Sequence, residues 1–163
     1  MRKKDKYRKI YDHYVHDMYN YIFFIVDDSR YTEKIIIEVF EDVFVDINFF
    51  MNIEKKMSWV KKIAKEKIIE IMRREKKYFY FNEYKKEKHL AKINFEKVSK
   101  EQIIKVINKL KVEERYVLYE VYYENISLEE CAENLMVEVE VIKRMINKIQ
   151  DRIDIERGKY IEK

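Results

Sequence analysis

Eight cations crowd one short stretch. In SWVKKIAKEKIIEIMRREKK, residues 58–77, Lys61, Lys62, Lys65, Arg73 and Arg74 fill positions left free by an apolar pattern. Read as a helix, this stretch places Lys62, Lys65, Ile69 and Arg73 on one face, with Lys61 and Arg74 flanking it. Amines and guanidiniums at that spacing neutralise phosphates, so the chemistry on offer is binding of a polyanion. Glu66 and Glu70 dilute the face, Glu70 standing three and four residues before Arg73 and Arg74. An ordinary solvated surface would use the same residues, so the rest of the chain has to decide.

A second set lies near the C-terminus, where Glu140, Lys143, Arg144, Asn147 and Lys148 share the polar side of a helix. Such side chains reach phosphates and base edges. Catalytic and metal chemistry find no comparable support. His13 and His16 sit three apart beside Asp12 and Asp17, with no second cluster to complete a metal site. The one glycine, Gly158, rules out a glycine-rich phosphate loop, and Cys131 falls on an apolar helix face as a small core residue. No metal, cofactor or catalytic residue is expected.

The elements that must position these sets read as helices. Among 163 residues there is no proline, and hydrophobic residues reach 47%, which affords a core without the tight turns of a sheet protein. A first helix is predicted over about 4–26, with Tyr7, Tyr11, Tyr14, Met18, Ile22 and Ile25 as its stripe. A second begins near Thr32, burying Ile35, Ile36, Val39, Phe40 and Val43 and exposing Glu33, Glu38, Glu41 and Asp42. DINFFMNIEKKM reads as a loop. The cationic helix buries Val60, Ile63, Ala64, Ile68, Ile71 and Met72.

After Lys77 the period degrades into a linker. Regular structure resumes at a Ser99–Gln102 capping box, followed by Ile103, Val106, Ile107 and Leu110 at helical spacing. Another helix is expected over 113–124, with Val117, Leu118, Val121 and Tyr122 inward and Glu113 and Glu114 at its positive end. SLEECAENL opens on a further box, Ser127–Glu130, and turns Leu128, Cys131, Ala132 and Leu135 to one side. A break at MVEV leads to a long helix with Ile142, Ile146, Ile149 and Ile153 inward, stopped by Gly158. A short capped helix, a tight break and a longer helix make a helix-turn-helix candidate. The fold expected is all-α: helical domains over 1–80 and 99–163, joined by a linker at 81–98.

Net charge is +4, unevenly spread: 27–46 is acidic, and 1–9 and 55–77 are basic. Opposite faces suit two different partners. YNYIFFIV is too short to span a bilayer, no signal peptide follows the basic start, and a lone cysteine fits a reducing compartment. The expectation is a cytoplasmic protein without membrane insertion.

The order of motifs resembles the extracytoplasmic function (ECF) sigma factors, small two-domain bacterial initiation factors. Met57, Trp59, Ile63, Ala64, Lys65, Glu66, Glu70, Arg73 and Arg74 follow that family's apolar, W, IA, polar pair, acidic, RR pattern. Upstream, TEKIIIEVFEDVF resembles its acidic helix ending in EVF. Downstream, the stretch from LKVEERYVLYEVYY through SLEECAENL to VIKRMINKI resembles its second domain. The resemblance covers nearly the whole chain. Departures are Glu66 where asparagine is frequent, Met136 in place of a turn glycine, and Glu140 and Val141 at the head of the last helix.

The resemblance implies RNA polymerase core and promoter DNA as partners, and leaves room for an inhibitory anti-sigma protein. Glu38, Glu41 and Asp42 would dock on the polymerase clamp. Lys61, Lys62, Lys65, Arg73 and Arg74 would hold minus-ten phosphates, while Asn48, Phe49, Phe50, Asn52 and Trp59 line the place where an extruded base stacks. Glu140, Lys143, Arg144, Asn147 and Lys148 would meet the minus-thirty-five element. Two other classes compete: a helix-turn-helix regulator that binds DNA without polymerase, and a helical adaptor that has lost DNA binding.

Overall fold

A computed structural model describes residues 2–75, 84–89 and 92–161, and every regular element among them is helical. The chain divides into two compact units, Met1–Lys77 and Tyr78–Lys163.

In the first unit α1 spans Lys3–Val26 and α2 spans Ser29–Val45. Between them two aspartates do the work expected of glycine. Asp27 takes the left-handed conformation at φ 54°, which a short polar side chain tolerates, and its N–H closes α1 on the Phe23 carbonyl at 2.8 Å. Asp28 then caps α2, its Oδ1 accepting the Tyr31 N–H at 3.0 Å. That cap starts α2 three residues ahead of the expected Thr32. On α1, Met18, Ile22 and Ile25 are buried as read, joined by Ile10 and Tyr21, whereas Tyr7, Tyr11 and Tyr14 are half-buried.

The expected loop after α2 contains a helix, α3, Ile47–Asn52. Ile47 and Phe50, three apart, face inward together, and this pair outweighs the two asparagines and the adjacent rings that hide the period. The cationic helix is α4, Lys56–Glu75. Its buried stripe is Val60, Ala64, Ile68 and Ile71, with Ile63 half-buried; the Met72 side chain lies outside the described residues. Each fully buried aliphatic contributes about 1.5–3 kcal/mol, so this stripe welds α4 to α1 and α2 and fixes which of its faces remains outside.

The second unit holds α5 (Lys100–Lys109), α6 (Val112–Leu118), α7 (Leu128–Leu135) and α8 (Val139–Ile161). The Ser99–Gln102 box forms in both directions, at 3.1 and 2.8 Å. The helix expected over 113–124 is interrupted: α6 gives way to a π turn, Tyr119–Tyr123. This wider turn changes which residues face in. Tyr116 and Glu120 are fully buried, while Val121 and Tyr122 are only half-buried. Glu113 and Glu114 stand in the first turn of α6, at its positive end as read, and both are buried there. α8 does not stop at Gly158 but runs through it to Ile161. With no positive φ at Gly158, glycine there merely weakens the helix rather than ending it. Val106, Leu110, Ile149 and Ile153 form one core cluster.

Candidate nucleic-acid interface

The first candidate surface joins the end of α3 to the start of α4. Phe50 is 2% exposed and belongs to the core, whereas Phe49 and Trp59 are 46% and 39% exposed. Phe49 bridges inside and outside, lying edge to face with Phe50 at 5.5 Å and with Trp59 at 5.2 Å. Lys62 Nζ sits 4.9 Å from the Trp59 ring. Two exposed rings, with a cation over one of them, present π faces and a positive charge side by side.

From Lys62 the charged edge continues to Lys65, half-buried, and to exposed Arg73 and Arg74. Eleven residues of helix make a ridge about 16 Å long, enough for several phosphates of one strand. Arg74 is pulled back toward Glu70 at 3.6 Å, as the spacing anticipates. Lys61 leans over Tyr21 at 5.4 Å. At the rim, Asn48 Oδ1 accepts from Lys6 Nζ at 3.1 Å, and the Asn48 carbonyl accepts from Asn52 Nδ2 at 2.8 Å. The three cations Lys62, Lys65 and Arg73 share one outward edge, with Trp59 and Phe49 at its head.

The acidic residues of α2 divide three ways. Glu41 is exposed. Asp42 is bound to Lys67 of α4 at 3.3 Å. Glu38 is half-buried, with Oε2 out of solvent and lacking a hydrogen-bond partner. Burial pulls the Lys67 ammonium down, but the Asp42 hydrogen bond and the charges of Asp42, Glu70 and Glu38 outweigh it and raise its pKa. Lys67 thus belongs with the acidic helix rather than with the cationic ridge. The sequence reading also missed a cleft of about 650 Å³ between α1 and α2, lined by Tyr7, Tyr11, Ile37, Phe40, Glu41 and Phe44 among others. Its signal was the run Ile35–Ile36–Ile37: a helix buries two neighbours of such a run and leaves the third, Ile37, outside.

In the second unit, α7 ends at Met136 with φ 58° and ψ 43°. The Met136 N–H bonds to the Glu133 carbonyl at 3.1 Å and the Val137 N–H to that of Ala132 at 3.0 Å, a Schellman closure built without glycine. Ala132, 4% exposed, lets α7 pack closely on α8. Glu140, Lys143, Arg144, Asn147 and Lys148 line one side of α8, and all five are half-buried. Part of what covers them is the chain before α5.

Tyr84 anchors that segment. Its hydroxyl donates to Glu113 Oε1 at 3.1 Å, and Lys148 Nζ sits over its ring at 4.9 Å. Burial, then the Glu114 and Glu113 charges, raise the Tyr84 pKa far above the usual phenol range, so it stays a donor. Burial likewise raises the Glu113 carboxyl. Residues 84–89 and 92–98 are non-helical, as expected for a linker, yet they are docked. The Ile93 N–H reaches the Tyr122 hydroxyl at 2.8 Å and the Asn94 N–H reaches Gln150 Oε1 at 2.6 Å. Residues 81–83, 90 and 91 of the expected linker lie outside the described residues.

Among the described residues no acidic, histidine or cysteine cluster could hold a metal, and no helix is long and apolar enough to cross a membrane. His13 packs edge-on against Tyr14, His16 meets Asn20 at 3.3 Å, and Cys131 is a buried thiol. A scan against protein-family models finds no match to this chain, and a search of curated proteins finds no significant match either.

Proposed function

We propose that this chain is a bacterial transcription initiation factor of the ECF sigma type, which brings RNA polymerase core to promoter DNA and holds the minus-ten element open. The observation that carries the reading is the Phe49–Trp59 pair with Lys62 above it, at the head of a cationic ridge. Unstacking a base costs a few kcal/mol, and stacking on an exposed ring returns about 1–3 kcal/mol per base. The ridge Lys62, Lys65, Arg73 would hold the backbone while the rings take the base.

On this reading α2 is the polymerase-facing element, and Glu41 is its free carboxylate. Asp42 contributes field but shares its charge with Lys67. α7, the turn at Met136 and α8 act as a helix-turn-helix for duplex DNA, with Lys143, Arg144, Asn147 and Lys148 as its contacts. No catalytic residue and no cofactor is assigned, and an anti-sigma protein remains compatible with it. The first test is binding of single-stranded and duplex DNA, followed by polymerase-dependent transcription. A regulator acting alone would bind duplex but ignore charge reversal at Glu41, and an adaptor would bind neither form of DNA.

A further inference from the structure

Residues 84–89 and 92–94 include contacts to the side of α8 that carries the duplex-contact candidates. Lys86 Nζ pairs with Glu138 at 2.8 Å, at the mouth of the helix. One residue on, the Glu87 N–H donates to the Glu140 carbonyl at 3.1 Å. The Glu87 carboxylate accepts from the His89 N–H at 3.2 Å, which shapes the turn of the segment. Tyr84 lies beneath Lys148. Further along, Asn94 is held at both ends, by Gln150 on its N–H and by Arg157 Nη2 on its carbonyl at 2.7 Å.

The segment thus meets α8 at Glu140, Lys148 and Gln150, along the side whose Lys and Arg side chains would take DNA phosphates. The major groove admits one α-helix, so a second stretch of backbone bonded to that helix would not enter with it. We infer that residues 84–89 and 92–94 form a strap that competes with duplex DNA for α8. This rests on the reading of α8 as a duplex-binding helix and adds its regulation. The strap must leave before DNA binds, so the measured dissociation constant is the intrinsic one divided by the fraction of molecules with the strap open. Apart from the buried Tyr84 hydroxyl and the part-buried Ile93 N–H, its polar contacts are exposed and individually weak, which suits a contact meant to yield.

The test uses the full chain and a random-sequence DNA duplex at fixed low salt, read by fluorescence anisotropy. Lys86→Ala/Gln150→Ala removes two strap contacts and one positive charge, so general electrostatics alone would weaken binding. The strap predicts the opposite, about three- to tenfold tighter binding. The companion variant Lys143→Ala/Arg144→Ala tests the underlying reading and should weaken binding. Unchanged or weaker binding by Lys86→Ala/Gln150→Ala, alongside wild-type binding lost in the companion, overturns the strap and leaves the duplex-binding reading standing. Failure of the wild type and both variants to bind duplex overturns the two together.

Discussion

Phe49 meets Trp59 edge to face, their ring centroids 5.2 Å apart, with both rings open to solvent. Phe49 is backed by buried Phe50, and Trp59 stands on α4 with Lys62 over its ring. Their surfaces are pre-ordered, so a base stacking there loses little to arranging its partner.

Trp59 is the only tryptophan in the chain, so its fluorescence reports the ring pair directly. Adding a single-stranded oligonucleotide should quench it. Phe49→Ala should weaken that binding about 10- to 100-fold while changing stability by about 1 kcal/mol or less. Phe50→Ala should instead cost about 3–5 kcal/mol of stability, because it empties a core position. Equal effects of the two substitutions on folding would remove the distinction between ring and core.

Glu41→Lys should abolish association with polymerase core at almost no cost to folding, measured by pull-down with purified core enzyme and by thermal melting. Asp42→Lys breaks the Lys67 pair as well and places two cations together, so its loss of binding should come with a melting temperature lower by a few degrees. Glu38→Gln should change stability little, because Glu38 Oε2 has no hydrogen-bond partner to lose and only its charge toward Lys67 is removed.

Much of the scaffold was readable in the sequence, and the misses share a cause. Val60, Ala64, Ile68 and Ile71 recur with the helical period, and Ser99 and Gln102 carry their cap in their side-chain chemistry. Phe49 and Phe50 stand side by side, so their adjacency masks the three-residue step from Ile47 to Phe50 that makes α3. The π turn at 119–123 shifts the inward register from Val121 to Glu120, and no residue type announces a wider turn. The strap was invisible because its anchors are distant: Tyr84 binds Glu113, and Asn94 binds Gln150 fifty-six positions away. Periodicity reports neighbours on one helix and cannot pair residues at that separation.

Glu113 makes stability depend on pH. Its carboxyl is raised by burial, so the folded protein favours the protonated acid. The penalty is absent below the unfolded value of about 4.3, grows as pH rises through the folded value, and is complete above it. Glu113→Gln keeps an acceptor for the Tyr84 hydroxyl without the charge. It should therefore be more stable than wild type at pH 7, by on the order of 1 kcal/mol, with the gain vanishing at pH 4. Urea titrations of both proteins at the two pH values check the sign.

Met136→Gly should stabilise the second unit. Met136 is 77% exposed, so little packing is lost, and its left-handed backbone costs a side chain about 1 kcal/mol that glycine avoids. Denaturant unfolding followed by circular dichroism should show that gain, and Met136→Val should show a loss.

The most direct measurement is multiple-round run-off transcription with bacterial core polymerase on a pooled library of promoter fragments, comparing the wild type with Trp59→Ala and Glu41→Lys. Initiation-factor function predicts transcripts from defined start sites that require the chain, fall sharply with Trp59→Ala and disappear with Glu41→Lys. Folded wild-type protein that yields no transcript above core polymerase alone, or transcripts indifferent to both substitutions, would contradict it.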